Sequence, residues 1–224
     1  MTRRMTVAQI QKVSIAGLSV ARKRQMLEIA EGYYRDPESG LNDELQYGNL
    51  VYYVESTDGA LACFVIVDFD HHQATIANQR YQFSYLGLGC AKRHPMVPVF
   101  QQVKSDFAQS VATDTVGVLH LTTRTPFAYR SFEKAFGKDV FPTVSGTESA
   151  ESMQIASYIK SSIHNHTPLR DEENPFLLRQ IKKGQFNNEE TVRIRSFKGE
   201  TPISQLEIDC SGSDELIVFH TFAV

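Results

Sequence analysis

The chain has few of the features that mark secreted, membrane or metal-dependent proteins. Three of its 224 residues are cysteine: Cys63, Cys90 and Cys210. They lie far apart, are odd in number and form no CxxC pair, which argues against a disulfide framework and for a reducing, cytoplasmic setting. No apolar run approaches the ~18 residues that a bilayer span requires, so no membrane span is expected. The N-terminus lacks an apolar core followed by a small-residue cleavage site, so no signal peptide is expected. There is no GxSxG elbow, no Walker lysine loop and no HExxH helix. His71-His72 and His164-Asn165-His166 lack the spacing of a two-His-one-carboxylate or Cys/His centre, so no metal is expected. No basic patch interleaved with aromatics recurs, which excludes a nucleic-acid reading. Acidic residues are missing from residues 1–27, which hold Arg3, Arg4, Lys12, Arg22, Lys23 and Arg24; this segment carries +6 of a net −3 and leaves −9 elsewhere. Such a segment faces either solvent or an acidic partner such as a nucleotide phosphate.

What is present is core-forming sequence. Hydrophobic residues make up 42% of the chain, enough for one sizeable core, and 22% are charged without a long biased tract, which excludes whole-chain disorder. Residues 11–17 read as a short strand and residues 19–34 as a helix capped by Ser19. "RDPESGLNDE" (35–44) reads as a loop. "NLVYYVES" and "ALACFVIVDF", joined by "TDG" at 57–59, read as a hairpin. "HHQATIANQ" (71–79) reads as a second connection. "RYQFSYLGLGCA" (80–91) reads as a strand, because Tyr81, Phe83 and Tyr85 alternate with Gln82 and Ser84.

A basic turn follows, and then a helix on which Phe100, Val103, Phe107 and Val111 form one apolar stripe. "VGVLHLTT" (116–123) reads as a strand. "PFAYRSFEKAF" (126–136) reads as a helix capped by Thr125, begun by Pro126 and ended by Gly137, with Ala128, Phe132 and Ala135 inward. A further helix is expected over 149–163 and a short one over 175–183. Strands are expected at "TVRIRSF" (191–197), "ISQLEI" (203–208) and "ELIVFHTFA" (215–223). Hairpins mixed with crossover helices predict an α/β or α+β chain with a partly antiparallel mixed sheet.

This order resembles the GNAT (GCN5-related N-acetyltransferase) superfamily over roughly residues 11–145. The most specific match is "TPFAYRSFEKAFG" (125–137), set against a family helix reading approximately N-P-A-A-x-x-x-Y-E-K-x-G-F. Pro126, Ala128, Glu133 and Lys134 fall on matching positions. The resemblance implies a GNAT-like acyl-CoA acyltransferase fold over residues 1–165, with residues 166–224 as an extension that completes the sheet or forms a small subdomain. It implies fourth and fifth strands that splay into a cleft for the pantetheine arm of acetyl-CoA or a longer acyl-CoA. It also implies direct attack on the thioester by a small-molecule or peptide amine. A homodimer contact is one use for the late strands.

The site residues follow from that resemblance. Gly87, Leu88 and Gly89 would present backbone to the pantetheine, either through a bulge or as ordinary strand packing. The family's pyrophosphate loop reads approximately R/Q-x-x-G-x-G/A, whereas this chain has "AKRHPMVPVF", without glycine and with two prolines that supply no N–H. Lys92, Arg93 and His94 would replace the missing backbone donors by side-chain charge, or form a solvated turn. Thr125 stands where the family has asparagine. Phe132 stands where it has the tyrosine that protonates the departing thiolate. Tyr129 would offer a hydroxyl from a neighbouring face or act as a wall residue. His120 would accept the amine proton or serve as a structural histidine, and either Tyr85 or Ser84 would face the cleft. Cys90 reads as a buried cysteine rather than a nucleophile. Phe64, Phe69, Phe83 and Phe100 would line a tunnel for a long acyl chain or form ordinary core. The competing function is a catalytically inactive ligand-sensing or protein-interaction module on the same fold, favoured by Phe132, Thr125 and the glycine-free loop.

Overall fold

The computed structural model describes residues 9–92, 96–137, 139–164, 174–178, 185–209, 212 and 214–224, without the side chains of residues 70 and 71. Its strands are β1 Ile10–Ser14, β2 Leu50–Glu55, β3 Leu61–Ile76, β4 Gln79–Ala91, β5 Thr115–Thr123, β6 Val140–Phe141, β7 Leu177–Leu178 and β8 Glu215–Ala223. They form one eight-stranded sheet in the order β1-β2-β3-β4-β5-β8-β6, with β7 on β8. β4 and β5 run parallel; the other neighbours are antiparallel. The last strand therefore lies inside the sheet, between β5 and β6.

Two helices, α1 Val20–Ala30 and α2 Pro37–Tyr47, cover one face of the early strands. Their Met26, Ile29, Ala30 and Leu41 pack with Val51, Phe64 and Ile66. On β2 and β3 the alternating residues Tyr52, Val54, Val65 and Val67 point the other way. There they meet α3 Val97–Ala108 and α4 Pro126–Phe136 through Val99, Phe100, Val103, Phe107 and Phe132. Helix α5, Ala150–Tyr158, runs on into a π-turn, Ile159–Ile163, and packs against β3 and β4. Its Glu151 pairs with the Tyr81 hydroxyl and its Tyr158 ring lies 4.9 Å from Phe83. Among the described residues no helix is long and apolar enough to cross a membrane.

Several expectations are corrected. Residues 37–47 are helix rather than loop: Asp36 accepts from Ser39 N–H, Pro37 opens the helix, and burial of Leu41 outweighs the breakers Gly40 and Asn42. Residues 71–76 extend β3, and the connection shrinks to Ala77 and Asn78, whose positive φ of 48° and 67° suit a tight hairpin turn. "TVRIRSF" is mostly helix α6, Asn188–Arg195. Asn187 caps it, acids occupy its first turn and Arg193 and Arg195 its last, so the Val–Ile alternation was a false period-two signal. "ISQLEI" begins in the short helix α7, Pro202–Gln205, set by a Thr201–Ser204 capping box. Of the helix expected at 175–183, Leu177–Leu178 is instead a strand on β8, and 179–183 fall outside the described residues. On α4 the buried residues are Pro126, Tyr129 and Phe132, so Tyr129 takes the inward place expected for Ala128.

Candidate active site

The sheet opens where the sequence carries its two glycines. The parallel ladder runs from Arg80↔Thr115 to Leu86↔Leu121. Beyond it, Gly89–Ala91 continue against Val65–Cys63 of β3, while Thr122 and Thr123 continue against β8. Between the pairs Val67↔Leu86 and Val65↔Gly89, two steps on β3 answer three on β4. The extra residue is a β-bulge at Gly87–Leu88, which bends the strand and turns its backbone out of register. β4 and β5 thus part at the bulge.

Side chains from the covering helices reach this parting edge. The Glu44 carboxylate, on the last turns of α2, accepts from Leu88 N–H at 3.3 Å. A Cβ on Gly87 would overlap Glu44 Oε2 and lie 3.4 Å from the Tyr85 ring, so the carboxylate's close approach requires glycine there. The Tyr33 hydroxyl donates to the Ala91 carbonyl at 2.5 Å. Burial, followed by the nearby Cys90, raises the Tyr33 pKa, so the phenol keeps the proton it donates.

Below the bulge, on the same face, lies an aromatic and histidine cluster. Tyr85 and His120 are register partners with ring centroids 5.2 Å apart. His164, at the end of the π-turn, stands 5.5 Å from Tyr85 and 5.7 Å from His120, edge-on to both. Its N–H donates to Ile159 O at 3.0 Å, which fixes where the turn delivers the ring. His120 and His164 are buried and Tyr85 is half-buried. Glu44, Tyr85, Gly87, His120 and His164 therefore form one continuous patch at the point of divergence.

The outer wall is made by the C-terminal segment. Asn187 N–H donates to Tyr33 O at 2.8 Å. Arg193 makes two 2.7 Å bonds to the buried Glu190 and lies 3.9 Å over the Phe127 ring of α4. Helix α6 thus links α1 to the start of α4. A cleft of about 330 Å³ lies beside it, lined by Glu28, Tyr33, Lys92, Glu189, Glu190 and Arg193 among others.

The residues named from the sequence are distributed as follows. Gly87, Leu88 and Gly89 are at the divergence, Tyr85 and His120 are together beneath it, and Lys92 is on the cleft wall. Arg93 and His94 lie outside the described residues. Thr125 caps α4, accepting from Phe127 N–H at 3.3 Å. Ser84 faces away from Tyr85 and donates to Asp68 O at 2.9 Å. Tyr129 has other work: it is buried and donates to Pro142 O at 2.9 Å, so its single proton is committed to tying α4 to the next loop. Of the two readings for the phenylalanines, the structure shows buried core: Phe64 packs under α1 and α2, whereas Phe69, Phe83 and Phe100 belong to the other core cluster.

Cys90 is buried and its thiol pKa is pushed up, first by burial and then by the charge of Glu190, which leaves it unreactive. Among the described residues no group of three or more His, Cys, Asp or Glu side chains is placed to hold a metal ion; the His71 side chain and His166 are outside that description. Sequence reading missed Glu44 and His164. Glu44 sat in a stretch read as loop, and His164 was weighed only as a metal ligand. The helix periodicity through Ile163 was the one signal that could have placed His164.

The mixed sheet, its parallel β4–β5 pair and the bulged parting of that pair agree with the fold that the resemblance to the GNAT superfamily implies. No family model matches the chain, and no curated protein matches it. Solved structures similar to it include the ribosomal-protein-S18-alanine N-acetyltransferase of Escherichia coli, at 9% identity and a TM-score of 0.45, covering 96% of each chain. Aminoglycoside 6'-acetyltransferase type Ii is similar at 12% identity and a TM-score of 0.40, over 62% of this chain and 89% of that one. A probable N-acyltransferase from Enterococcus faecalis V583 is similar at 15% identity and a TM-score of 0.39, over 56% of this chain; this chain spans 31% of that protein.

Proposed function

We propose that this protein is an N-acyltransferase that moves an acyl group from acetyl-CoA or a longer acyl-CoA to an amine. The observation that carries the reading is the coincidence of three features: the end of the β4–β5 ladder, the Gly87–Leu88 bulge and the Tyr85–His120–His164 cluster. The chain's residues suit an acyl-CoA donor. The bulge leaves backbone amides at the parting edge, and Lys92, on the wall of the adjoining cleft, would meet the diphosphate, with Arg93 and His94 next in sequence.

Bound acyl-CoA would supply an activated carbonyl with a thiolate leaving group. Gly87–Gly89 would hold the amide-bearing arm by backbone pairing, and Leu88 N–H would be the donor nearest the reacting carbonyl. His120 would accept the proton that the amine loses as the N–C bond forms and the C–S bond breaks, and could return it to the thiolate. His164 and Tyr85 would fix the orientation of its ring. Thr125 would hold the start of α4 at the cleft mouth.

The inactive-module reading is favoured by one specific observation: Glu44 and Tyr33 already occupy Leu88 N–H and Ala91 C=O, two groups of the edge that a donor would use. Thermal shift and thiol release separate the readings. Acetyl-CoA or palmitoyl-CoA should raise the melting temperature through linkage, and thiol should appear with a panel of amines. His120→Ala should retain the shift and lose on the order of 100-fold in release rate. A shift without thiol release across the panel would favour the sensor, and no shift with any thioester would refute both ligand-binding readings.

A further inference from the structure

We infer that residues 185–197, with helix α6 at their centre, form a strap that closes the mouth of the parted strands and opens as a unit. On the transferase reading, on which this part of the inference rests, that opening admits the donor and so regulates the site.

The strap belongs to one half of the molecule and clasps the other. The chain before it is held to β8 through β7, by the pairs Leu177↔Leu216 and Leu178↔Glu215. The chain after it is held to α4 and the loop beyond: Arg130 donates to Glu200 O, and Gln205 Nε2 donates to Val144 O at 2.6 Å. Both anchors lie on the β5 side of the parting. Between them the segment crosses to the β4 side. Arg35 N–H donates to Gln185 O and Asn187 N–H donates to Tyr33 O, each at 2.8 Å. These two bonds bracket the isolated bridge Tyr34↔Phe186, whose rings stack 5.3 Å apart. The crossing passes the residues that directly follow the two parted strands. Arg124, next after β5, lies 4.7 Å over the Phe186 ring, and Lys92, next after β4, shares the cleft with Glu189, Glu190 and Arg193. The closed strap therefore covers the mouth and sets two carboxylates beside the cation that would meet a diphosphate.

Its make-up suits separate opening. Phe186 and Ile194 form a small buried cluster of their own, apart from the two larger cores, with Tyr34 and Phe127 packed against it. Within α6, the Asn187 cap, the acids of the first turn, the arginines of the last and the Arg193–Glu190 pair answer one another. Release of the clasp leaves those bonds in place. An element with so little buried apolar surface opens ahead of the sheet.

The test locks the clasp. Two bonds in that arrangement mark a non-hydrogen-bonded antiparallel pair, whose Cα atoms stand about 4.5 Å apart, within the reach of a disulfide. Tyr34→Cys/Phe186→Cys is made in the full chain with Cys210→Ser; Cys63 and Cys90 are buried. Amide exchange of residues 188–195 and the association rate of a thioether analogue of acetyl-CoA are measured oxidised and reduced. Oxidation should slow both by about tenfold or more, and reductant should restore them. Phe186→Ala, which needs no cross-link, should speed both, and reductant should leave the wild type unchanged. Exchange of 188–195 that only keeps pace with β4 and β5 in the wild type, or that ignores the cross-link, would overturn the inference. Two further results separate it from the transferase reading. If oxidised and reduced forms take up the analogue at the same rate, the donor site stands and the strap as its gate falls. If no form binds the analogue while the cross-link suppresses exchange in α6, the strap stands and the donor reading falls.

Discussion

Replacing Tyr129 by phenylalanine separates a strut from a catalytic acid. The ring is 1% exposed and its hydroxyl donates to Pro142 O at 2.9 Å. Burial, with Glu133 next, pushes its pKa up to about 12, so the phenol is protonated throughout the neutral range. Phenylalanine keeps the packing and removes one hydrogen bond, leaving the Pro142 carbonyl short of a donor. Such a loss costs about 1–3 kcal/mol. For a chain of this size each kcal/mol lowers the melting temperature by about 2–4 °C, so a fall of roughly 2–12 °C is expected. Urea denaturation measures the stability directly, and thiol release measures transfer on the same preparation. Under the proposed transferase reading, the expected pair is a lower urea midpoint with a transfer rate within about twofold of wild type. An unchanged midpoint with a rate lowered by about 100-fold or more, the size of an acid–base contribution, would refute the assignment.

Three other outcomes are expected. His220 is buried, stacks 4.6 Å from Phe136 and bonds Asp139 O through Nδ1 at 2.9 Å; burial lowers its pKa below the ordinary 6.5. The unfolded chain therefore takes up that proton first. Stability should be unaffected by His220 above about pH 7 and should fall as the pH drops from about 6.5 toward the lower folded value. His220→Phe should flatten that part of the urea-midpoint profile, and an unchanged slope would contradict the assignment. Arg193→Ala strips the buried Glu190 of its two bonds and Phe127 of its cation, at a cost of about 1–3 kcal/mol, and should speed amide exchange across residues 185–195 before it affects the sheet. Exchange that rises uniformly would mean that α6 does not latch separately. Gly87→Ala should displace the flexible Glu44 side chain rather than the backbone. It should therefore change stability by no more than about 1 kcal/mol, because the lost bond to Leu88 N–H is offset by a stiffer unfolded chain, and a larger loss in the urea midpoint would contradict this.

The parts of the fold set by local periodicity were legible in the sequence. The α3 stripe, the Thr125–Pro126–Gly137 frame of α4 and the first hairpin stand where the pattern placed them, and Gly87 and Gly89 do mark a bulge. Helices α2 and α6 were hidden for opposite reasons. Gly40 and Asn42 make α2 look like a loop until Leu41 is seen to be buried, and Val192 and Ile194 alternate as in a strand although the Asn187 cap and the charge order demand a helix. The site was half legible because Tyr85, His120 and Gly87 lie on neighbouring strands whose pairing the pattern implied. Glu44 and His164 arrive from a helix and a π-turn far away in sequence, and nothing local couples them to β4. The choice between the two readings of Tyr129 was not legible, because helical spacing shows which residues share a face but not that Pro142 O lies in front of the hydroxyl.

The most direct measurement is an amide NMR titration with a thioether analogue of acetyl-CoA, which cannot transfer its acyl group. Saturable shifts centred on Gly87, Leu88 and Gly89, with smaller ones at Lys92 and Thr125, are predicted. A saturating titration that leaves those amides in place, or moves only residues remote from the parting of β4 and β5, would contradict the account.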